Sequence, residues 1–142
     1  MRLLFYISVL FLFFSCYKMD SGEHDNIVNS SIIDNNAEIT ILGKESVNFG
    51  DIIQGEKVDL EFRIKNTGKG DLIITSAKAS CGCTQLKYPK EIIKHGNEES
   101  IKVTFDSKNK IGEQKKNITL MTNATPNIKI LTIEGTVLPS EN

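Results

Sequence analysis

Two cysteines separated by a single residue are the most reactive feature of this sequence. Cys81 and Cys83 lie in the segment Ala79-Ser80-Cys81-Gly82-Cys83-Thr84 of the 142-residue chain. Two thiols at this spacing could form a disulfide or thiol-exchanging pair, a soft metal site, or a structural link. A third cysteine, Cys16, lies far upstream at the end of an apolar run. The two positions therefore raise separate questions.

A bond between Cys81 and Cys83 requires a local bend. In an extended strand, residues i and i+2 lie on one face with Cα atoms about 6.5–7 Å apart, at or just beyond the limit for a disulfide. Gly82 is the residue that could bend the chain and bring the sulfurs together. The closed ring would be very small and strained, and strained disulfides are more easily reduced. A reversible, thiol-exchanging pair is therefore one hypothesis.

Metal binding is a second hypothesis, because two thiolates on one face are a soft ligand pair suited to Cu(I). A structural zinc ion would need two further ligands. His95, His24 and Met121 are candidates, but none has a fixed motif spacing to the cysteines. We predict no cofactor and retain Cys81, Cys83 and His95 as the alternative metal set.

The interpretation we favour is structural. The pair would shape or staple a strand-to-loop transition, or pack as small apolar side chains. No nucleophile elbow lies near His95, and the glycines of Gly68-Lys69-Gly70 are typical of a turn and not of a phosphate loop. The sequence therefore predicts a protein that is not an enzyme. A net charge of −1 also excludes the strong basic field typical of nucleic-acid-binding proteins.

The amino terminus has the features of a targeting segment. After Met1-Arg2, an apolar run from Leu3 to Phe14 is too short to span a bilayer, which takes about 20 residues. Ser15 followed by Cys16 resembles a bacterial lipobox, with Ser15 at position −1. We predict a lipoprotein signal peptide over residues 1–15 and acylation of Cys16, which would anchor the chain to a bacterial membrane. The alternatives are simple secretion, with Cys16 incidental, or an uncleaved anchor.

Composition divides the remainder of the chain. Residues 16–36 hold the acylated cysteine and a polar stretch typical of a flexible tether. Residues 37–138 carry the folding signals, and residues 139–142 form a short tail. Export would place Cys81 and Cys83 in a compartment where disulfides persist, on the periplasmic side or at the cell surface.

The folding signals are those of β-strands. From Lys57 to Lys65, apolar and charged residues alternate, which predicts a strand with one face in water. The same period appears in Ser100–Asp106 and Ile128–Val137. About seven short strands separated by turn residues favour an immunoglobulin-like antiparallel β-sandwich, with a small barrel as the alternative. Because Cys81 and Cys83 are too close to link two sheets and Trp is absent, aliphatic and Phe side chains must form the core.

These motifs resemble the domain-of-unknown-function 1573 family, exported immunoglobulin-like domains of Gram-negative bacteria that are often lipoproteins. The Ser80-Cys81-Gly82-Cys83-Thr84 segment carries most of the resemblance, which spans roughly residues 45–138. The other matching positions are Phe49-Gly50-Asp51-Ile52, Gly55, Phe62, Lys65-Asn66-Thr67-Gly68, Leu72, Ile74, Gly96, Ile101, Val103, Phe105-Asp106, Gly112, Lys116, Asn123, Leu131, Ile133, Gly135 and Val137. His95 departs from the family, which usually has Pro there. The resemblance implies the sandwich fold and no established enzyme activity.

The sequence therefore predicts a membrane-anchored extracytoplasmic lipoprotein that acts as a non-catalytic interaction or structural module. Its partners would be the membrane, through the lipid anchor, and another envelope protein or a glycan, bound at loops or at an exposed strand edge. Nucleic acid is not expected as a partner. The alternative function is thiol-redox or copper-binding chemistry at Cys81 and Cys83.

Overall fold

A computed structural model describes residues 36–141. The predicted signal peptide, the predicted acylation site Cys16, most of the predicted tether with His24, and Asn142 lie outside the described residues. Among the described residues, no helix is long and apolar enough to cross a membrane.

The described region folds into two four-stranded sheets packed as a sandwich, in the orders β1-β3-β6-β5 and β2-β8-β7-β4. The eight strands are β1 (Ile39–Ile41), β2 (Ser46–Ile53), β3 (Lys57–Asn66), β4 (Ile74–Ala79), β5 (Thr84–Lys87), β6 (Glu98–Asp106), β7 (Gly112–Thr122) and β8 (Ile128–Leu138). The first sheet has the ABED order of immunoglobulin domains, and the second adds a strand to the CFG order. The predicted sandwich is confirmed, with eight strands where about seven were expected.

One pairing differs from the antiparallel arrangement that the alternation predicted. β1 pairs antiparallel with β3, but β2 lies parallel to β8 in the other sheet. The short segment between them contains Gly43 at φ 117° and lets the chain change sheets. Alternation determines which face of a strand is buried and carries no information about the direction of its neighbour, so the sequence could not reveal this exception.

The core lies between the inner faces of the two sheets and contains no Trp. Phe62 and Ile64 of β3 are buried in one hydrophobic cluster with Leu131, Ile133 and other aliphatic side chains, and their burial is what the alternation predicted. The Phe49 ring packs on the Phe105 ring with centroids 5.2 Å apart. Buried hydrophobic residues of the described region are Ala37, Ile39, Ile52, Phe62, Ile64, Leu72, Ile74, Ile93, Ile101, Val103, Phe105, Ile118, Leu120, Ala124, Leu131, Ile133 and Val137.

The strand directions define two ends of the sandwich. We call the end at which the chain enters the proximal end: the Gly70 N–H donates to Asn36 O, so the loop after β3 lies beside the start of the domain. We call the opposite end the distal end. It carries the β2–β3 turn, the β4–β5 connection and the β6–β7 loop. Ser107 joins two of these, because its hydroxyl accepts the Gly55 N–H and its own N–H donates to Glu56 O.

A buried amide organises the proximal end. Asn66, fully buried at the end of β3, donates from Nδ2 to the carbonyl oxygens of Gly70 and Ile93, each at 2.8 Å. Its Oδ1 accepts the Gly68 N–H at 3.1 Å. One side chain thereby fixes the β3–β4 turn against the segment that precedes β6.

Candidate functional site

The segment that contains Cys81 and Cys83 is the crossover from one sheet to the other. β4 ends at Ala79 in the second sheet, and β5 begins at Thr84 in the first. Both strands lie at the outer edge of their sheets. The cysteines therefore lie in the four-residue connection between two sheet edges, at the distal end of the sandwich.

The two cysteines form a disulfide, and their Cα atoms lie 5.3 Å apart. This separation is within the range that disulfides adopt and is shorter than the spacing in an extended strand. The reason is that Gly82 and Cys83 lie in a turn before β5 begins. An added Cβ at Gly82 would meet no atom within 4 Å, and the φ of Gly82 is outside the left-handed region. The bend thus lies at the position predicted from the sequence, but the backbone conformation there does not require a glycine.

Hydrogen bonds hold the disulfide loop on the first sheet. Cys83 O accepts the Asp106 N–H at 2.9 Å, and Cys81 O accepts the Thr84 N–H at 3.3 Å. The buried Thr84 hydroxyl lies 3.5 Å from the Cys81 sulfur. Cys83 also packs against the hydrophobic core. The covalent link and these contacts together fix the path of the crossover.

A cavity of about 190 Å³ lies beside the disulfide and is lined by Cys83, Asp106 and three lysines, Lys57, Lys108 and Lys110. The Lys108 N–H donates to Asp106 and lowers the pKa of that carboxyl, and the Lys57 ammonium, 3.4 Å away, lowers it further. The carboxylate is therefore held in its charged form by these two neighbours. Lysines outnumber it, so the cavity wall is positively charged.

The structure does not bring the alternative metal set together. His95 precedes β6, whereas the disulfide loop bonds to Asp106 at the other end of the same strand. A nine-residue strand spans about 25 Å or more. The His95 Nδ1 atom lies 2.7 Å from Gly68 O, at the proximal end. Within residues 36–141, no three His, Cys, Asp or Glu side chains lie close enough to hold a metal ion together.

β5 was not predicted from the sequence, and neither was the edge formed by β4 and β5. β5 is only four residues long, and its Thr84 and Leu86 face inward while Gln85 and Lys87 face water. The available signal was this short alternation directly after Cys83. Its length is too small to separate from a loop by pattern alone.

Comparison with known families gave one model match. The model described as "Protein of unknown function (DUF1573)" matches residues 40–137, which include the disulfide loop and every strand but part of β1 and β8. A comparison with curated proteins gave no match.

Several solved structures share the fold. A protein of unknown function from Porphyromonas gingivalis W83 is 14% identical with a TM-score of 0.62, and the match covers 70% of this chain and 46% of that one. The Vibrio cholerae VesB protease is 17% identical with a TM-score of 0.54, over 72% of this chain and 32% of that one. The PapD-like domain 7 of human CEP192 is 14% identical with a TM-score of 0.52, over 75% of this chain and 88% of that one. This chain spans half or less of the first two, and at these identities the likeness shows the fold alone.

Proposed function

Because this chain belongs to the DUF1573 family of proteins of unknown function, we propose that it is a membrane-anchored extracytoplasmic lipoprotein whose sandwich binds a partner and catalyses no reaction. Acylation at Cys16 would supply the anchor, and a tether of about 20 residues would reach roughly 25 Å as a random coil. The domain would then stand clear of the lipid head groups.

The observation that carries this proposal is the separation of the two ends. The chain enters at Asn36 beside the loop after β3, whereas the disulfide crossover and the β6–β7 loop lie at the distal end. An anchor upstream of Asn36 leaves the distal end and the sheet edges accessible to another envelope protein or a glycan. A net charge of −1 gives nucleic acid no reason to bind.

The non-catalytic part of the proposal is supported by the bonding of the motif itself. Cys81 and Cys83 are bonded to each other, and the loop that holds them is tied to Asp106 and Thr84. The disulfide closes a small ring within the connection between β4 and β5. It stiffens this crossover, and a binding module needs such stiffness to keep its edges in fixed positions.

Thiol-redox or copper chemistry is the second candidate, and one observation favours it. Both sulfurs are only partly buried, and Lys57, Lys108 and Lys110 surround the cavity next to Cys83. After reduction, these cations would favour thiolates, which are the reactive and Cu(I)-binding form. Copper content and thiol state of the protein from its own host separate the two candidates.

Substitution of Cys16 tests the anchor. In cells fed an alkyne fatty acid, we expect the unaltered chain to carry the label and Cys16→Ser to carry none, because the thiol is the acylated group. Cys81→Ser/Cys83→Ser is the matched control, since it removes two cysteines and should keep the label. Equal labelling of Cys16→Ser and the unaltered chain would show that the anchor is elsewhere or absent.

A further inference from the structure

The outer edge of β4 has unpaired main-chain groups. Within residues 36–141, β4 is the last strand of its sheet and pairs only with β7. The Ser80 N–H donates to Asn117 O, which sets the phase of the pairing. In an antiparallel pair the main-chain groups alternate in direction, so those of Ala77 and Ala79 point away from β7. An edge of this kind can accept an additional strand.

A groove of about 420 Å³ runs along this edge, between β4 and β5. Ala77 and Ala79 line one side, and Leu86 and Tyr88 line the other. The small alanine side chains allow another backbone to approach closely, while Leu86 and Tyr88 offer apolar surface. Tyr88 lies beside the edge, because it lines the same groove as Ala77 and Ala79.

The disulfide closes the distal end of this groove. Cys81 and Gly82 line it next to Ala79, and the Lys90 ammonium lies 3.5 Å from the centre of the Tyr88 ring towards the other end. The Cys81–Cys83 bond stiffens the crossover from β4 in one sheet to β5 in the other. The most distinctive motif of the sequence thus borders the groove.

The charge of the segment indicates what the groove binds. Residues 74–90, which form both walls, contain no Asp or Glu. Lys78 lines the groove, and Lys90 lies over the ring of Tyr88, which also lines it. Lys87 instead lines a separate cavity with Asp59 and Glu61. Lysine on an edge strand also deters pairing between identical copies, because the charges repel. An acidic strand would instead be attracted.

We propose that the β4 edge and the adjoining groove bind an extended, acidic segment of a partner protein by strand addition. Ala79 N–H and the carbonyl oxygens of Ala77 and Ala79 supply the main-chain hydrogen bonds, and Lys78 and Lys90 supply the preference for acidic residues. This inference rests on the proposed function as a binding module and names its binding surface and the chemistry of the partner.

The test uses the purified full chain and a fluorescent ten-residue peptide of alternating valine and glutamate, with a valine–lysine peptide for comparison. We expect saturable binding of the acidic peptide, at least tenfold tighter than the basic one, and slower amide hydrogen exchange in residues 76–80. Ala79→Pro removes the Ala79 N–H donor and keeps the hydrogen bonds between β4 and β7. It should weaken binding of the acidic peptide about tenfold. Ala79→Ser keeps the amide and should bind like the unaltered chain.

Charge reversal gives a second test that does not depend on a proline. Lys78→Glu/Lys90→Glu should reverse the preference between the two peptides. Lys108→Glu/Lys110→Glu, in the other basic cluster, should leave it unchanged. If the cavity beside Cys83 were the binding surface, these two results would be exchanged and the proposal would be wrong.

Four other results would overturn the proposal. The first is that the acidic peptide shows no saturable binding, and the second is that Ala79→Pro and Ala79→Ser bind it equally well. The third is that the chain forms concentration-dependent dimers that Ala79→Pro abolishes. The fourth is that the peptide binds more tightly after deletion of residues 20–34. Dimers of this kind would assign the edge to a second copy of the chain. Tighter peptide binding after the deletion would assign it to residues 20–34, which contain Asp20, Glu23, Asp25 and Asp34 and no Lys or Arg. If the β4 edge binds no acidic strand while a partner still cross-links elsewhere on the domain, the proposed function stands without this inference. If cross-linking in the envelope finds no partner at all, the proposed function fails as well.

Discussion

Asn66→Ala is expected to lower the free energy of unfolding by roughly 3 kcal/mol, because three hydrogen bonds disappear and their partners stay buried or half-buried. The lost partners are Gly68 N–H, Gly70 O and Ile93 O. For a domain of this size, the melting temperature should fall by roughly 10–20 °C. Urea unfolding followed by circular dichroism measures the change. Asn127→Ala, at an exposed loop position, is the control and should change stability by less than about 0.5 kcal/mol.

Asn66→Asp should lower the free energy of unfolding more than Asn66→Ala does at neutral pH, and part of this loss should be recovered in acid. Its carboxylate would face the carbonyl oxygens of Gly70 and Ile93 in a buried site, which raises its pKa above the unfolded value of about 3.9. The folded chain then binds the proton more tightly than the unfolded chain, so stability falls as pH rises above about 4. A deficit that does not change between pH 4 and pH 7 would mean that this side chain is not buried.

Gly135→Ala is expected to cost roughly 1–3 kcal/mol, the range for overpacking a core. Gly135 lies on the inward side of β8 with Leu131, Ile133 and Val137, where a side chain would be expected. A Cβ there would overlap the Phe49 ring and lie 2.6 Å from Gly50 O. The Phe49 ring, packed on Phe105, already fills this space. Chemical denaturation of the purified variant measures the cost.

A double-mutant cycle identifies the cause. If the Phe49 ring is the obstacle, Gly135→Ala should cost less in a Phe49→Ala background than in the unaltered chain, with a coupling above about 0.5 kcal/mol. Simple additivity of the two changes would show that Phe49 does not occupy the space over Gly135. Gly82→Ala is the contrasting glycine substitution, since an added Cβ there contacts nothing within 4 Å.

Strands with long alternation could be predicted from the sequence, and the reason is physical. Lys57–Lys65 is buried on one face and solvated on the other, so apolar and polar residues alternate along it with a period of two. β5 has only four residues, and a segment this short carries too little pattern to be distinguished from a loop. The sheet to which each strand belongs could not be predicted either, because the pairing of β2 with β8 depends on contacts between residues more than 80 positions apart.

The chemistry of the motif was left open by its spacing. A Cys-Gly-Cys segment in an extended strand would hold its sulfurs apart, whereas the turn at Gly82 and Cys83 brings the two Cα atoms to 5.3 Å. The position of His95 at the opposite end of β6 likewise depends on topology. The buried amide of Asn66 looked like an ordinary turn residue, since its partner Ile93 is 27 positions away.

The central claim is that the Cys81–Cys83 bond is a permanent structural link in a binding module. The most direct measurement is the intact mass of the protein after alkylation in cells of its own host, without and with prior reduction, together with its copper content. We predict that both cysteines resist alkylation until reductant is added, in nearly all molecules, and that no copper is bound. A large fraction alkylated at both positions without reductant, or copper bound in stoichiometric amount, would contradict the claim and favour thiol or metal chemistry.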